Sequence, residues 1–294
     1  MKNRDGIKKY LAYFFVMPSI FLLFVFTLYP IMNLIYLSFF DYNLIGKKKF
    51  VGWKNYSALL FTKTDFLQAM RNTMVFSLTV LLLSIFLAVL LAMWLRKDSF
   101  LNRLVQKSIF FPYLISTVSC AYIWSWMFDV DRGLLNYLLS LCHLAKSKWL
   151  NSSEMVIFCV AVVGVWKSLG HYLLIVLYAI KAIPKNILEA ASLETNNSLL
   201  LFWKIVFPMI SPQLFFLVIT ITANAYKTFD LVKVMTNGGP GNASDVLVTY
   251  IYRQAFEMNA KIGLASAAAT ILLGITIFLT LCHSRFLSKQ VFYQ

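Results

Sequence analysis

The stretch from Thr73 to Leu95, TMVFSLTVLLLSIFLAVLLAMWL, decides the fold, because it runs for 23 residues without a charged side chain. A helix needs about 20 apolar residues to cross the hydrocarbon core of a bilayer. Lipid offers no partner to an open backbone, so such a run must be helical. Five further runs lie at residues 11–40, 108–128, 155–180, 205–226 and 262–284. The sequence therefore predicts an all-α integral membrane protein with six transmembrane helices.

Composition excludes a water-soluble fold. Hydrophobic residues make up 60% of the 294-residue chain and charged residues only 13%, whereas soluble domains carry about 25% charged residues. The net charge of +15 does not indicate nucleic-acid binding, since that needs basic residues clustered on one face, and here they are scattered between apolar runs. The four cysteines have no spacing typical of a metal site, so we expect no metal. The expected surroundings are a lipid bilayer.

The distribution of lysine and arginine predicts the orientation. With the N-terminus inside, the cytoplasmic segments 1–10, 96–107, 181–204 and 285–294 hold 13 Lys and Arg in 56 residues, and the outer loops hold 13 in 93 residues. The raw counts are equal, but the density favours a cytoplasmic N-terminus. Six spans then place both termini in the cytoplasm. We expect residues 1–10 to be a cytoplasmic N-terminus and residues 11–294 to form a single transmembrane domain.

The loop between the fourth and fifth spans, residues 181–208, has the clearest helix signals outside the membrane. Pro184 suits a first helical turn, where a missing N–H costs nothing. A helix is predicted from Lys185 to about Thr195, and Ser198 is the predicted cap of a second helix that leads into the fifth span. Small alanines on an exposed helix would let another protein approach closely. An ordinary cytoplasmic hairpin is the alternative.

The spacing around residues 189–191, Glu-Ala-Ala, resembles the EAA loop of bacterial ABC importer permeases. That family pattern reads EAA, three residues, Gly, nine residues, Ile, one residue and Leu-Pro. This chain keeps the spacing through Ile205 and Pro208, with Thr195 in place of the glycine and Phe207 in place of the leucine. Further blocks look like the carbohydrate-uptake branch related to the larger maltose permease subunit. They lie at residues 29–30, 37–42, 50–56, 71–73, 236–240 and 250–256.

The resemblance implies the type I transmembrane domain fold of ABC importers and an assembly of several proteins. A second permease subunit, expected to be a different chain, would complete the pore. Two cytoplasmic ABC ATPases would bind ATP and Mg and grip the EAA loops, and an extracytoplasmic binding protein would deliver a sugar. This chain would be a multi-pass permease of the bacterial cytoplasmic membrane, without a cofactor or enzymatic activity of its own. It also contains no G-x-x-x-x-G-K-[ST] phosphate-binding loop.

The resemblance also assigns site residues. The ATPase-coupling residues would be Glu189, Ala190, Ala191, Ser192, Leu193, Glu194, Thr195 and Pro208. By position, the substrate pathway would include Tyr113, Thr117, Ser168, His171 and Thr228. Contact with the binding protein would fall on Gly238, Gly239 and Pro240, which otherwise form only a turn.

Lys167 is marked as functional by its place in a span. About 12 apolar residues precede it, so it lies near mid-depth, where an ionisable group is costly. It could bind an anionic sugar or pair with a carboxylate of the partner subunit; the alternative is a lysine that reaches the interface. His171 lies on the same helix face, although a lone histidine is more often a core residue. Asn224 closes the fifth span and joins the predicted pathway, with a solvated loop position as its alternative.

Three function classes compete. An ABC importer permease for a sugar, or for a non-sugar solute, explains the EAA loop. An ion-gradient-driven secondary transporter would usually show internal repeats or intramembrane acids, and no Asp or Glu lies in any predicted span. A membrane enzyme would need clustered catalytic groups, and the three histidines are scattered at His143, His171 and His283.

Overall fold

The computed structural model of the chain is mainly helical, as the apolar runs predict. It describes residues 2–195, 197–257 and 260–286; the side chains of residues 2–12, Ser192, Glu194 and Phe286 lie outside this description. The α-helices are α1 Lys2–Leu23, α2 Tyr29–Leu37, α3 Lys54–Ser57, α4 Thr64–Leu95, α5 Phe100–Leu114, α6 Thr117–Met127, α7 Leu134–Leu141, α8 Val156–Lys181, α9 Lys185–Glu194, α10 Ser198–Leu201, α11 Phe207–Tyr226, α12 Asp230–Met235, α13 Leu247–Phe256 and α14 Ile262–Phe286. Two short strands, β1 Phe40–Asp41 and β2 Lys49–Phe50, pair antiparallel.

Within the part of the chain that the structure describes, five helical segments are long and apolar enough to cross a membrane, and a bent helix pair supplies a sixth candidate. The five are Tyr13–Leu37, Thr64–Leu95, Val156–Lys181, Ser198–Tyr226 and Ile262–Arg285. Each contains most of one predicted run. The prediction of an all-α membrane protein with six spans is therefore confirmed at five continuous spans and one broken span.

Unlike the other five spans, the third span is not one continuous helical segment. The predicted run 108–128 is divided into α5 and α6, which meet at an angle of 102°. Pro112 lies inside the last turn of α5 and cannot donate a backbone hydrogen bond. Ile115 and Ser116 then adopt extended backbone conformations, with ψ of 145° and 137°. The apolar run predicts one membrane crossing, and Pro112 predicts a kink or an open helix end within it. The size of the bend has no local signal in the sequence.

Prolines also explain two π-helical turns inside the first and fifth spans. The turns at Phe24–Leu28 and Phe202–Val206 directly precede α2 and α11, whose first turns contain Pro30 and Pro208. A proline ring crowds the carbonyl one turn earlier and donates no hydrogen bond, and an inserted π-turn accommodates this crowding. Both spans continue through the turn.

The start of the fifth span is capped by a different residue from the one predicted. The Oδ1 atom of Asn197 accepts hydrogen bonds from the N–H groups of Leu199 (3.0 Å) and Leu200 (3.3 Å). Asn197 is therefore the N-cap of α10, and Ser198 is its first helical residue. The prediction of Ser198 as the cap was wrong by one position, because Asn and Ser are equally good caps and adjacent in the sequence.

The chain divides into two compact units. The first comprises residues 1–63 and 251–271. Within it, the amide of Asn55 donates to the carbonyl oxygens of Ser38 (2.8 Å) and Phe40 (3.0 Å). The β1–β2 hairpin approaches the first turn of α14 so closely that a Cβ at Gly263 would overlap the Phe40 carbonyl oxygen. A glycine is therefore required at that position.

The second unit comprises residues 64–250 and 272–294, and α8 lies at the centre of its core. More than half of the apolar stretch of α8 is buried, compared with 28% in α4. Helices α4, α5 and α11 all pack against α8. Fully or nearly fully buried apolar side chains on α8 include Val160, Leu173, Val176 and Leu177. This helix therefore fixes the positions of the elements around it.

Candidate functional site

A cavity of about 240 Å³ lies in the second unit beside the break in the third span. Six of the seven residues predicted for the substrate pathway line it. They are Tyr113, Thr117, Lys167, Ser168, Asn224 and Thr228. The seventh, His171, stacks on the ring of Tyr113, with centroids 4.7 Å apart and an interplanar angle of 7°. The remaining walls are mainly apolar: Phe76, Val80, Gly164, Tyr172, Ile221, Ala225 and Leu231.

The ammonium group of Lys167 binds the end of α5. Its Nζ donates hydrogen bonds to the carbonyl oxygens of Ile115 (2.9 Å) and Tyr113 (3.4 Å). It also lies 5.8 Å from the centroid of the Tyr113 ring, within reach of a cation–π interaction. A lysine at a helix C-terminus commonly satisfies the last carbonyls in this way. Here the lysine comes from a different helix and bonds where the span is broken.

Close packing of α8 against α5 makes this arrangement possible. A Cβ at Gly170 would overlap the carbonyl oxygen of Ile109 and the Cα of Phe110. The two backbones therefore touch at Gly170, three residues after Lys167 and on the same side of α8. The short separation brings the α5 carbonyls within reach of the Lys167 side chain.

One aromatic wall residue was missing from the predicted pathway. Tyr172 lines the cavity and is only 5% exposed. It lies four residues after Ser168 on α8, and residues at that spacing share a helix face. That spacing is the signal by which it could have been found.

The EAA residues lie on α9. Glu189 and Ala190 are exposed, Leu193 is 90% exposed, and Ala191 is buried. Thr195 is the half-buried C-cap of the helix, and Pro208 is half-buried at the start of α11. The predicted coupling side chains of Ser192 and Glu194 lie outside the described side chains.

A cleft of about 420 Å³ runs beside α9. Leu188 packs from α9 against the core and lines one wall. Three basic side chains, Arg96, Lys181 and Lys185, also line it. Lys181 forms an exposed ion pair with Asp98, at 3.7 Å. Leu188 thus anchors the loop to the apolar core, while one face of α9 is exposed and a basic cleft lies beside it.

The predicted binding-protein contact lies in a loop held by its own hydrogen bonds. Gly238 has φ of +85°, and a Cβ at this position would lie 3.3 Å from the Asp245 side chain. Gly238 is buried, whereas Gly239 and Pro240 are half-buried. The Oγ of Ser244 donates to the Gly239 carbonyl oxygen at 2.6 Å. Asn237 and Gly241 are the exposed positions of the turn.

Residues 71–73, the Arg-Asn-Thr block at the start of the second predicted span, hold this loop. The Asn72 amide donates to the carbonyl oxygens of Asn242 (3.0 Å) and Asp245 (2.9 Å). The Oγ1 of Thr73 accepts from the N–H of Leu247 at 2.9 Å. A groove of about 740 Å³ lies alongside, and its charged lining residues are Arg71 and Glu154.

The turn after α6 is organised by an ionised aspartate. The Oδ1 of Asp129 accepts hydrogen bonds from the N–H groups of Arg132 (2.8 Å) and Asp131 (3.0 Å). These donors, Arg132 foremost, hold the pKa of Asp129 below its ordinary value. Next to it, the buried Asn136 accepts from the Ser147 N–H and the Trp149 ring nitrogen. The bonds of Asn136 hold α7 against the segment that precedes α8.

Apolar spans around a cavity with several polar side chains, together with an exposed helical loop, are typical of a transport permease. Residues 84–292 match the family of binding-protein-dependent transport system inner membrane components. The chain belongs to that family. It is therefore a permease subunit of an ABC importer, a multi-pass protein of the bacterial cytoplasmic membrane.

Relatives match nearly the full chain. It is 32% identical over 287 residues to the sn-glycerol-3-phosphate transport system permease protein UgpA of Agrobacterium fabrum, covering 97% of each chain. It is 32% identical over 289 residues to the probable ABC transporter permease protein YurN of Bacillus subtilis, covering 95% of this chain and 96% of that protein.

Solved structures share the fold. A chain of a bacterial ABC transporter involved in the import of the acidic polysaccharide alginate superimposes with a TM-score of 0.86 at 22% identity, over 98% of this chain and 99% of that chain. A second structure, of a bacterial alginate ABC transporter with its pentasaccharide-bound periplasmic protein, gives a TM-score of 0.84 at 22% identity, over 96% of each chain. The predicted ABC importer permease fold is thereby confirmed.

Proposed function

We propose that this chain forms half of the translocation pore of an ATP-driven importer for a sugar or oligosaccharide. The observation that carries the proposal is the cavity, since six residues chosen from the sequence line one space at the broken span. Its hydroxyl groups suit the polar rim of a sugar, and its aromatic rings suit the apolar face. A second permease, a different chain, would complete the pore, with both termini in the cytoplasm.

The names of relatives support this substrate class. The UgpA proteins are named for sn-glycerol-3-phosphate, and the superimposed structure belongs to an importer of an acidic polysaccharide. Both solutes combine hydroxyl groups with a negative charge. Transfer of the hydroxyl-bearing solute class to this chain is our inference, and it is supported by the polar cavity lining.

Energy coupling would pass through α9. Two cytoplasmic ABC ATPases, which would hold ATP and Mg, would grip the exposed face that includes Glu189, Ala190 and Leu193. ATP can shift the ATPase dimer towards its closed state only if ATP binds the closed dimer more tightly than the open one. The α9 helix would transmit that difference to the fifth span, which begins a few residues later at Ser198.

The binding protein would dock at the opposite end of the permease. We expect contact around Gly238, Gly239 and Pro240, with Asn237 and Gly241 reaching furthest into solvent. The groove next to this loop offers a positive charge at Arg71 and a negative charge at Glu154. Asn72 holds the loop in place. The loop would therefore present a fixed shape to the binding protein.

Reversal of the Glu189 charge tests the coupling role. We expect Glu189→Lys to abolish solute uptake and to weaken ATPase association, while the chain still inserts into the membrane. The measurements are uptake by cells and co-purification of the ATPase with a tagged permease. Asp131→Lys, the same reversal at an exposed loop position, is the control and should keep both. Normal uptake by Glu189→Lys would contradict the assignment of the coupling loop.

A further inference from the structure

We propose that the cavity at the broken span selects an anionic solute and that Lys167 is the residue that recognises the negative charge. This inference rests on the proposed function, because it takes the cavity to be part of the translocation path. It adds the charge of the substrate, which the hydroxyl and aromatic side chains of the lining do not determine.

The first argument is the charge of the cavity. Among the described residues that line it, Lys167 is the one cation and no Asp or Glu is present. The hydrogen-bond acceptors of the ammonium group are two carbonyl oxygens, which are dipoles and carry no net charge. An ionised group in a low-dielectric site without a counter-charge is expensive. An anionic solute in the cavity would supply that counter-charge.

The second argument is the geometry of the ammonium group. A lysine has three N–H donors, and bonds to Ile115 and Tyr113 use two of them. The side chain is half-buried and lines the cavity, so the third donor can serve a solute there. The bonds to the helix end fix the charge in position, which lowers the entropy cost of binding.

The third argument is the start of α6. This helix has 11 residues and begins at Thr117, which itself lines the cavity. The first-turn N–H groups of a helix have no acceptor within it, and the Ser116 side chain does not cap them. The N-terminus of a discontinuous membrane helix is a known kind of site for anionic substrate groups. The helix start and Lys167 therefore add positive potential to the same cavity.

A purely structural role for Lys167 makes a different prediction. If its only task is to hold the end of α5, its removal would weaken binding of every solute alike. If it recognises charge, its removal would change the ratio between anionic and neutral solutes. That ratio is therefore the quantity to measure.

The experiment uses the assembled membrane complex of this chain with its second permease and ATPases, in lipid nanodiscs. Binding is measured by calorimetry for two pairs of probes, glycerol 3-phosphate with glycerol and glucuronate with glucose. We expect at least one anionic probe to bind about tenfold or more tightly than its neutral counterpart. Lys167→Met should remove about ten- to a hundredfold of that affinity and leave the neutral probe unchanged. Lys167→Arg should retain the preference.

Lys146→Met, which removes a lysine at an exposed loop position outside the cavity, is the control, and it should leave the anionic preference in place. Equal binding of both members of each pair by the wild type, or binding of neither anionic probe, would overturn the inference. So would an equal loss for both members in Lys167→Met. If Lys167→Met does not assemble, the wild-type ratio and the Lys167→Arg variant decide. ATP-driven import of a neutral solute by the same complex would reject this inference alone, whereas absence of any ATP-driven import would reject the proposed function.

Discussion

At the scale of single residues, Gly170 determines how closely α5 and α8 approach. A Cβ at this position would overlap backbone atoms of Ile109 and Phe110, which cannot rotate away as a side chain could. We expect Gly170→Ala to destabilise the protein by about 1–3 kcal/mol, as overpacking commonly does. Thermal unfolding in detergent measures the effect.

A second glycine provides the control for this prediction. Gly274 lies in α14, and a Cβ built there meets nothing within 4 Å. Gly274→Ala should therefore change stability by less than about 0.5 kcal/mol. Equal melting temperatures for the two variants would show that α5 and α8 are not in backbone contact at Gly170.

At the scale of elements, the cap of the fifth span is open to a direct test. Asn197 satisfies two N–H groups of α10, and loss of such a cap costs about 1 kcal/mol. We expect Asn197→Ala to lower the melting temperature and to reduce uptake, because the cap fixes the first turn of the fifth span. Ser198→Ala should be close to neutral, and the opposite ranking would restore Ser198 as the cap.

The broken span shows how far an element can be predicted from sequence. Run length and charge identified residues 108–128 as membrane-embedded, and Pro112 indicated a weak point in the helix. At the break, Lys167 donates to the carbonyl oxygen of Ile115, 52 residues away in the sequence, and the backbones of α5 and α8 approach closely at Gly170. Such long-range contacts have no local pattern, so the angle between α5 and α6 could not be predicted.

The site was more predictable than the break. Tyr113, Thr117, Ser168 and Thr228 were chosen by position in a family pattern, and Lys167 by the cost of a charge in a span. A residue's place in the family pattern gives its depth in the membrane and the face of the helix on which it lies. Those two pieces of information were enough to choose residues that line one cavity. The carbonyl partners of Lys167 could not be chosen in this way, because they exist only where the span opens.

At the scale of the whole molecule, we expect ATP, and not an ion gradient, to drive transport through this chain. The two mechanisms differ in what the cavity must contain, since ion-coupled carriers usually place acids there. Among the described lining residues there is one basic side chain, Lys167, and no Asp or Glu. The exposed face of α9 is in turn suited to contact a partner ATPase.

The most direct test is uptake into proteoliposomes that contain the assembled importer and its binding protein, with ionophores present to collapse all ion gradients. We predict that solute accumulates when ATP is available to the ATPases and that accumulation stops when ATP is withheld. Accumulation that requires an ion gradient and is unaffected by ATP would contradict the account.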